Sequence, residues 1–130
     1  MIDVVDVAAL KLKEAGYETS VKRLDELDSR EGVVLRRLPA TVTARYADLG
    51  QSVAYVFQAI VKRRDEERAI DDCEKITNLL VHADLASRNG SYVFTNAEVY
   101  TEPQELELNE SGYFIWEARI RVNIYRKDLL

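Results

Sequence analysis

Cys73 is the only cysteine and His82 the only histidine in the chain. A thiol and an imidazole are the groups from which a nucleophile–base pair or a soft-metal site is built. Here they are nine residues apart. That is about two and a half helical turns, so they do not meet from one helix. A lone histidine also excludes a histidine cluster. Cys73 falls on the apolar stripe of a predicted helix and reads as an inert packing residue; His82 reads as a helix-surface residue. The carboxylates are scattered. Asp71 and Asp72 are adjacent and diverge by about 100° around a helix. Glu102, Glu105, Glu107 and Glu110 fall in an acidic stretch containing Pro103, which reads as a solvated loop or hairpin tip. Their spacing is not that of a calcium loop, and no phosphate-cradling or hydrolase motif occurs. No residue stands out as catalytic or as a metal or cofactor ligand, although the absence of a motif does not exclude an enzyme.

The most patterned stretch is the closing NESGYFIWEARIRVNIYRKDLL. Phe114, Trp116, Ala118, Ile120, Val122 and Ile124 alternate with Tyr113, Ile115, Glu117, Arg119, Arg121, Asn123 and Tyr125. Period two means one strand with two faces. The first set is a core face. The second carries two arginines, a glutamate and two tyrosines, and its purpose is the central question posed by the chain.

The remaining elements follow from periodicity and punctuation. Val5, Ala8, Leu12 and Ala15 predict a helix over about Asp3–Ala15. Asp3 is placed to accept from first-turn amides, and Gly16 to stop the helix in the left-handed region, with Tyr17 folding back on Leu12. A short strand is expected near Glu18–Lys22, then a polar connection, LDELDSREG. Strands are predicted over Gly32–Leu38, closed by Pro39, and over Thr41–Tyr46. After a turn at Ala47–Gly50, Gln51–Lys62 is apolar on both faces and belongs in the middle of the sheet. Asp65 opens a second helix with an Ile70, Cys73, Ile76, Leu80, Ala83 stripe. The pairs Arg68–Asp72 and Asp71–Lys75 lie on its wet side, and Asn89-Gly90 is its expected end. Tyr92–Thr101 is a strand, Glu102–Asn109 an acidic excursion, and the closing strand follows. The order predicts an α+β fold: a mixed or antiparallel sheet of about five strands, with two helices packed mainly on one face.

With 130 residues, 47% of them hydrophobic and 32% charged, the composition fits one domain over residues 1–130 with a real core. No apolar run is long enough to cross a bilayer, and the N-terminus lacks a signal-peptide layout. The net charge is −5, and the basic run Lys62-Arg63-Arg64 is followed at once by Asp65, Glu66 and Glu67. That balance argues against sequence-specific nucleic-acid binding.

The stretch VVLRRLPA…YADLGQSVAYVFQAIVKRRDEERAIDDCEKITNLL resembles the minor capsid and tail-terminator (tail-completion, head–tail joining) proteins of long-tailed bacteriophages. The shared pattern is a strand ending in Arg36-x-x-Pro39, then a loop with Tyr46, Asp48 and Gly50. A long strand with Phe57-Gln58, a polar Lys62–Asp65 corner and a helix with Ala69, Ile76 and Leu80 follow. The closing GYFIWEARIRV is similar to the last strand of these proteins. Ala40 departs from the pattern, which often has glycine after the proline, and that touches the turn geometry. The resemblance implies a virion protein made in the bacterial cytoplasm. It implies a subunit that closes into a ring, usually a hexamer, which caps the tail tube and meets the head connector, without cofactor or catalysis. On that reading Glu117, Arg119, Arg121 and Tyr125 are interface or lumen residues, and Asp48, Glu102 and Glu105 their acidic partners on a neighbouring subunit. Two other classes stand beside it. One is a small non-catalytic domain recruiting a partner through a 102–112 hairpin; the other is an enzyme with a dispersed carboxylate site.

Overall fold

The computed structural model describes residues 2–21, 31–108 and 112–127. In chain order the elements are α1 (Val4–Glu14), β1 (Thr19–Ser20), β2 (Gly32–Arg37), β3 (Thr41–Arg45), β4 (Gly50–Arg63), α2 (Glu66–His82), β5 (Val93–Leu108) and β6 (Phe114–Lys127). The fold is α+β. Its six strands form one mixed sheet in the order β1-β2-β4-β6-β5, with β3 beside β4. β1 pairs with β2 in parallel, and the other pairings are antiparallel. β2 and β3 share one side of β4, β2 along Phe57–Lys62 and β3 along Gln51–Ala54, with the Leu38–Ala40 bend between them. The expected connection through Leu24–Arg30, and Asn109–Ser111 between β5 and β6 in the chain, lie outside the described residues.

β4 is central because both its faces are apolar, as the sequence predicts: Phe57, Ala59 and Val61 face one way, Ile60 the other, and all are buried. α1 and α2 lie on the first of these faces. Val5, Ala8 and Leu12 of α1 and Cys73, Ile76 and Leu80 of α2 join Val33, Leu35, Phe57, Ile120, Val122 and Ile124 of the sheet in one core. Each fully buried aliphatic side chain there contributes about 1.5–3 kcal/mol relative to exposure.

α1 ends as its sequence demands. Gly16 takes φ +95°, the Tyr17 amide donates to Leu12 O at 2.9 Å and the Gly16 amide to Lys13 O at 3.0 Å. This paired arrangement satisfies the last carbonyls. Its start differs from expectation. The Asp3 side chain makes no cap hydrogen bond. It instead accepts from Ser87 Oγ at 2.8 Å and from the amides of Arg88 and Asn89 at 3.0 and 3.2 Å, tying the post-α2 loop to the head of α1. Asp65 does cap α2, accepting from the Glu67 amide at 3.2 Å. α2 stops at His82, well before Asn89-Gly90, because Ala83 is already extended (ψ 152°). Leu85 is then fully buried, and Tyr92 Oη donates to its carbonyl.

The acidic stretch after Thr101 is strand, not loop. β5 continues through Glu102, Pro103 and Glu105 to Leu108, paired with β6. Pro103 is tolerated because β5 is an edge strand with its register broken between Thr101 and Gln104, where a missing N–H costs no ladder bond.

Candidate functional site

Among the described residues, both helices lie on one face of the sheet. On the other, cross-strand register sets the side chains in rows. Val34, Ile60, Glu117 and Gln104 form one row; Arg36, Gln58, Arg119 and Thr101 the next; Val56, Arg121 and Glu98 follow. This is the second face of β6, and it is graded rather than uniformly wet. At the Gly112 end Tyr113, Ile115 and Glu117 are buried, and Ile115 joins Val34 and Ile60 in a second apolar cluster. From Arg119 onward the same face is half-buried. Trp116 and Phe114, expected deep in the core, are themselves only half-buried. Trp116 Nε1 is enclosed without an acceptor among the described residues.

Glu117 is the organising residue. Its exposure is 0%, so an ionised carboxylate there needs donors. Gln58 Nε2 donates to Oε2, and Gln104 Nε2 and Arg119 Nε each donate to Oε1 at 3.2 Å. Arg119 is thereby held by Nε. Arg121 is held likewise, its Nε 3.2 Å from Asn123 Oδ1 and 3.4 Å from Glu98 Oε1. Their terminal nitrogens make no hydrogen bond among the described residues. They line a groove of about 320 Å³ with Tyr100, against an apolar side of Leu38, Pro39, Ala54 and Val56. Two guanidinium groups fixed at one nitrogen and open at the fork are receptors for carboxylate or phosphate oxygens.

Two further candidate residues, Asp48 and Tyr125, meet at the far end of the same face. Tyr125 Oη donates to Asp48 Oδ2 at 2.8 Å, and this hydrogen bond raises the Tyr125 phenol pKa above its ordinary value. Asp48 Oδ1 accepts from the Gly50 amide at 3.0 Å. Tyr46 Oη bonds Ser52 Oγ at 3.0 Å, and its ring lies 6.0 Å from that of Tyr125. Leu49 completes the turn at φ 68°, a conformation uncommon for a residue with a Cβ. A Cβ at Gly50 would overlap the Tyr125 phenol, so glycine there lets the phenol close on the turn. The Tyr46, Asp48, Gly50 pattern thus has a physical role: it clamps the β3–β4 turn onto the end of β6.

The structure brings Glu117, Arg119 and Arg121 together, and joins Asp48 to Tyr125 within the same subunit. It places Glu102 and Glu105 apart, exposed on β5. Sequence reasoning missed Gln58, Gln104 and Tyr100. Gln58 was visible as a polar residue in the middle of an otherwise apolar central strand; the other two depended on the irregular register of β5.

Elsewhere the chemistry is quiet. Cys73 is buried, and burial, with Glu117 and Glu74 nearby, pushes its thiol up to about 12. His82 is exposed, its Nδ1 2.8 Å from Asn78 O. Among the described residues no three His, Cys, Asp or Glu side chains are grouped to hold a metal, and no helix is long and apolar enough to cross a membrane.

Residues 7–126 match the family described as bacteriophage tail terminator protein. The chain belongs to the bacteriophage tail terminator family. No curated protein matches it. As a tail terminator it is a structural component of the virion, working against other proteins of the phage tail and head. In this tail terminator the matched span takes in β1 to β5 and all of β6 but Lys127, and so contains Glu117, Arg119 and Arg121.

Proposed function

We propose that the subunit closes head-to-tail into a ring, a hexamer by the resemblance, that caps the tail tube, stops its growth and presents a surface to the head connector. The observation that carries this reading is the sheet face that bears no helix among the described residues. On it, Arg119 and Arg121 are held in place by Glu117 and Glu98 while their forks remain open beside an apolar groove. Ordering long side chains costs entropy, and here intramolecular bonds have already met that cost, which favours a partner that docks on them. Asp48 and Tyr125, engaged with each other, brace the turn above the face and leave the acidic role to residues such as Glu102 and Glu105. The domain is single and acts without cofactor.

Two measurements test the reading together. Light scattering after size exclusion, over a concentration series, reads the mass; the expected species is a closed oligomer of fixed size. Added to growing tail tubes, the protein should fix tube length, seen by negative-stain microscopy. Tubes that elongate unchanged in its presence would refute the capping role.

A further inference from the structure

The two uncovered margins of the sheet carry opposite charge. On the β2–β3 margin, Arg36, Arg37 and Arg45 are exposed. β1 pairs with β2 only at Val33 and Val34, so the stretch bearing Arg36 and Arg37 has no strand outside it among the described residues. At the opposite margin, β5 is the last strand and carries Glu98, Glu102 and Glu105, all exposed. Arg36, Arg45, Glu102 and Glu105 make no ion pair among the described residues; Arg37 has only a 3.8 Å contact with Asp6, and Glu98 faces Arg121. We infer that the acidic β5 margin of one subunit docks on the basic Arg36–Arg37 margin of the next, and that this junction closes the ring.

The inference rests on the ring reading and specifies its interface. A head-to-tail ring needs two different patches on each subunit, and opposite ends of one sheet provide them. Rotation from one subunit to the next preserves which sheet face points inward and which way each strand runs. β2 and β3 run opposite to β5, since each step from β3 to β4, β6 and β5 is antiparallel. The margins therefore meet antiparallel. Their levels agree as well: Arg36 lies in register with Gln58, Arg119 and Thr101, and Glu102 follows Thr101. Glu102 thus stands at the height of Arg36 in the neighbouring copy, while Glu105, level with Val33, lies three positions along the strand from it. The contact is made by side chains rather than by a continued sheet. β5 breaks register at four places and has Pro103, devices that blunt an edge against backbone pairing.

The test is a charge swap read by light scattering and by circular dichroism for fold. Glu102→Arg with Glu105→Arg should yield folded monomer, and so should Arg36→Glu with Arg37→Glu. All four changes in one chain should restore a closed oligomer of the wild-type mass. Wild-type rings should also loosen as salt rises, since exposed pairs are screened. If wild-type protein forms rings that either reversal leaves intact, or if both reversals dissociate it and the fourfold swap does not restore it, the margins are not the junction, while the ring reading stands. If wild type is monomeric at every concentration, both readings fall together.

Discussion

Arg119 is the residue at which function and stability are most tightly bound, and its removal has a calculable cost. Arg119→Ala takes the cation from Glu117, whose exposure is 0%, at a contact of 3.2 Å. Breaking a buried ion pair by deleting one partner costs about 3–5 kcal/mol when the remaining charge is stranded. Two features lower that figure. The Arg119 side chain is 39% exposed, so solvent already screens the pair. Gln58 and Gln104 also continue to donate to the carboxylate. A loss of about 1–3 kcal/mol is expected, the range for a hydrogen bond to a charged group. With a urea slope of about 1–3 kcal/mol/M for a chain of this size, the midpoint should fall by roughly 1 M. The only tryptophan, Trp116, is next to Glu117, so its fluorescence follows the transition. Glu117→Gln removes the charge that needs a partner, so Arg119→Ala made in that background should cost much less than in wild type. A cost below about 0.5 kcal/mol for Arg119→Ala, or full additivity in the double mutant, would refute the view that Arg119 compensates a buried carboxylate. Arg119→Glu, by contrast, sets a second carboxylate beside Glu117 and destabilises the monomer; it confounds any test of subunit contacts, which is why the charge swap spares it.

Three further outcomes are expected. Burial by itself raises the Asp3 carboxyl, but the hydrogen bonds from Ser87 and the Arg88 and Asn89 amides outweigh it and leave its pKa below the ordinary 3.8. A depressed folded pKa stabilises above the unfolded value and is lost as pH falls through the folded one, so Asp3→Asn should lose about 1 kcal/mol at neutral pH and approach wild type below pH 3.8 in denaturation curves. The Cys73 thiol, pushed up to about 12, should resist iodoacetamide at pH ~8 until urea unfolds the chain, because only the thiolate reacts; labelling at the rate of a free thiol in native protein would contradict its burial. Gly50→Ala should displace Tyr125 from Asp48 and cost about 1–3 kcal/mol through overpacking, with Tyr125→Phe in the same background adding little further loss.

Local chemistry was sufficient where an element's cause lies within a few residues of it. Gly16 ends α1 because its backbone reaches φ +95°, Asp65 caps α2 because the Glu67 amide is two residues away, and β4 is central because Phe57 and Ile60 need cover on opposite faces. Tertiary structure decided the rest. Asp3 had a suitable place for a cap, yet Ser87, Arg88 and Asn89, more than 80 residues distant, captured its carboxylate. Glu102–Leu108 had the composition of a loop and became strand because β6 offered it a partner and the far side of the edge could accommodate Pro103. Most of all, alternation along β6 correctly divided its residues between two faces but did not say how deep each would lie. Glu117 became fully buried because Gln58 came from a strand 59 residues away, Gln104 came from the other flanking strand, and Ile60 and Ile115 closed around one end. A period of two is a property of the strand alone; depth depends on what distant segments place over each face, and no local pattern carries that information.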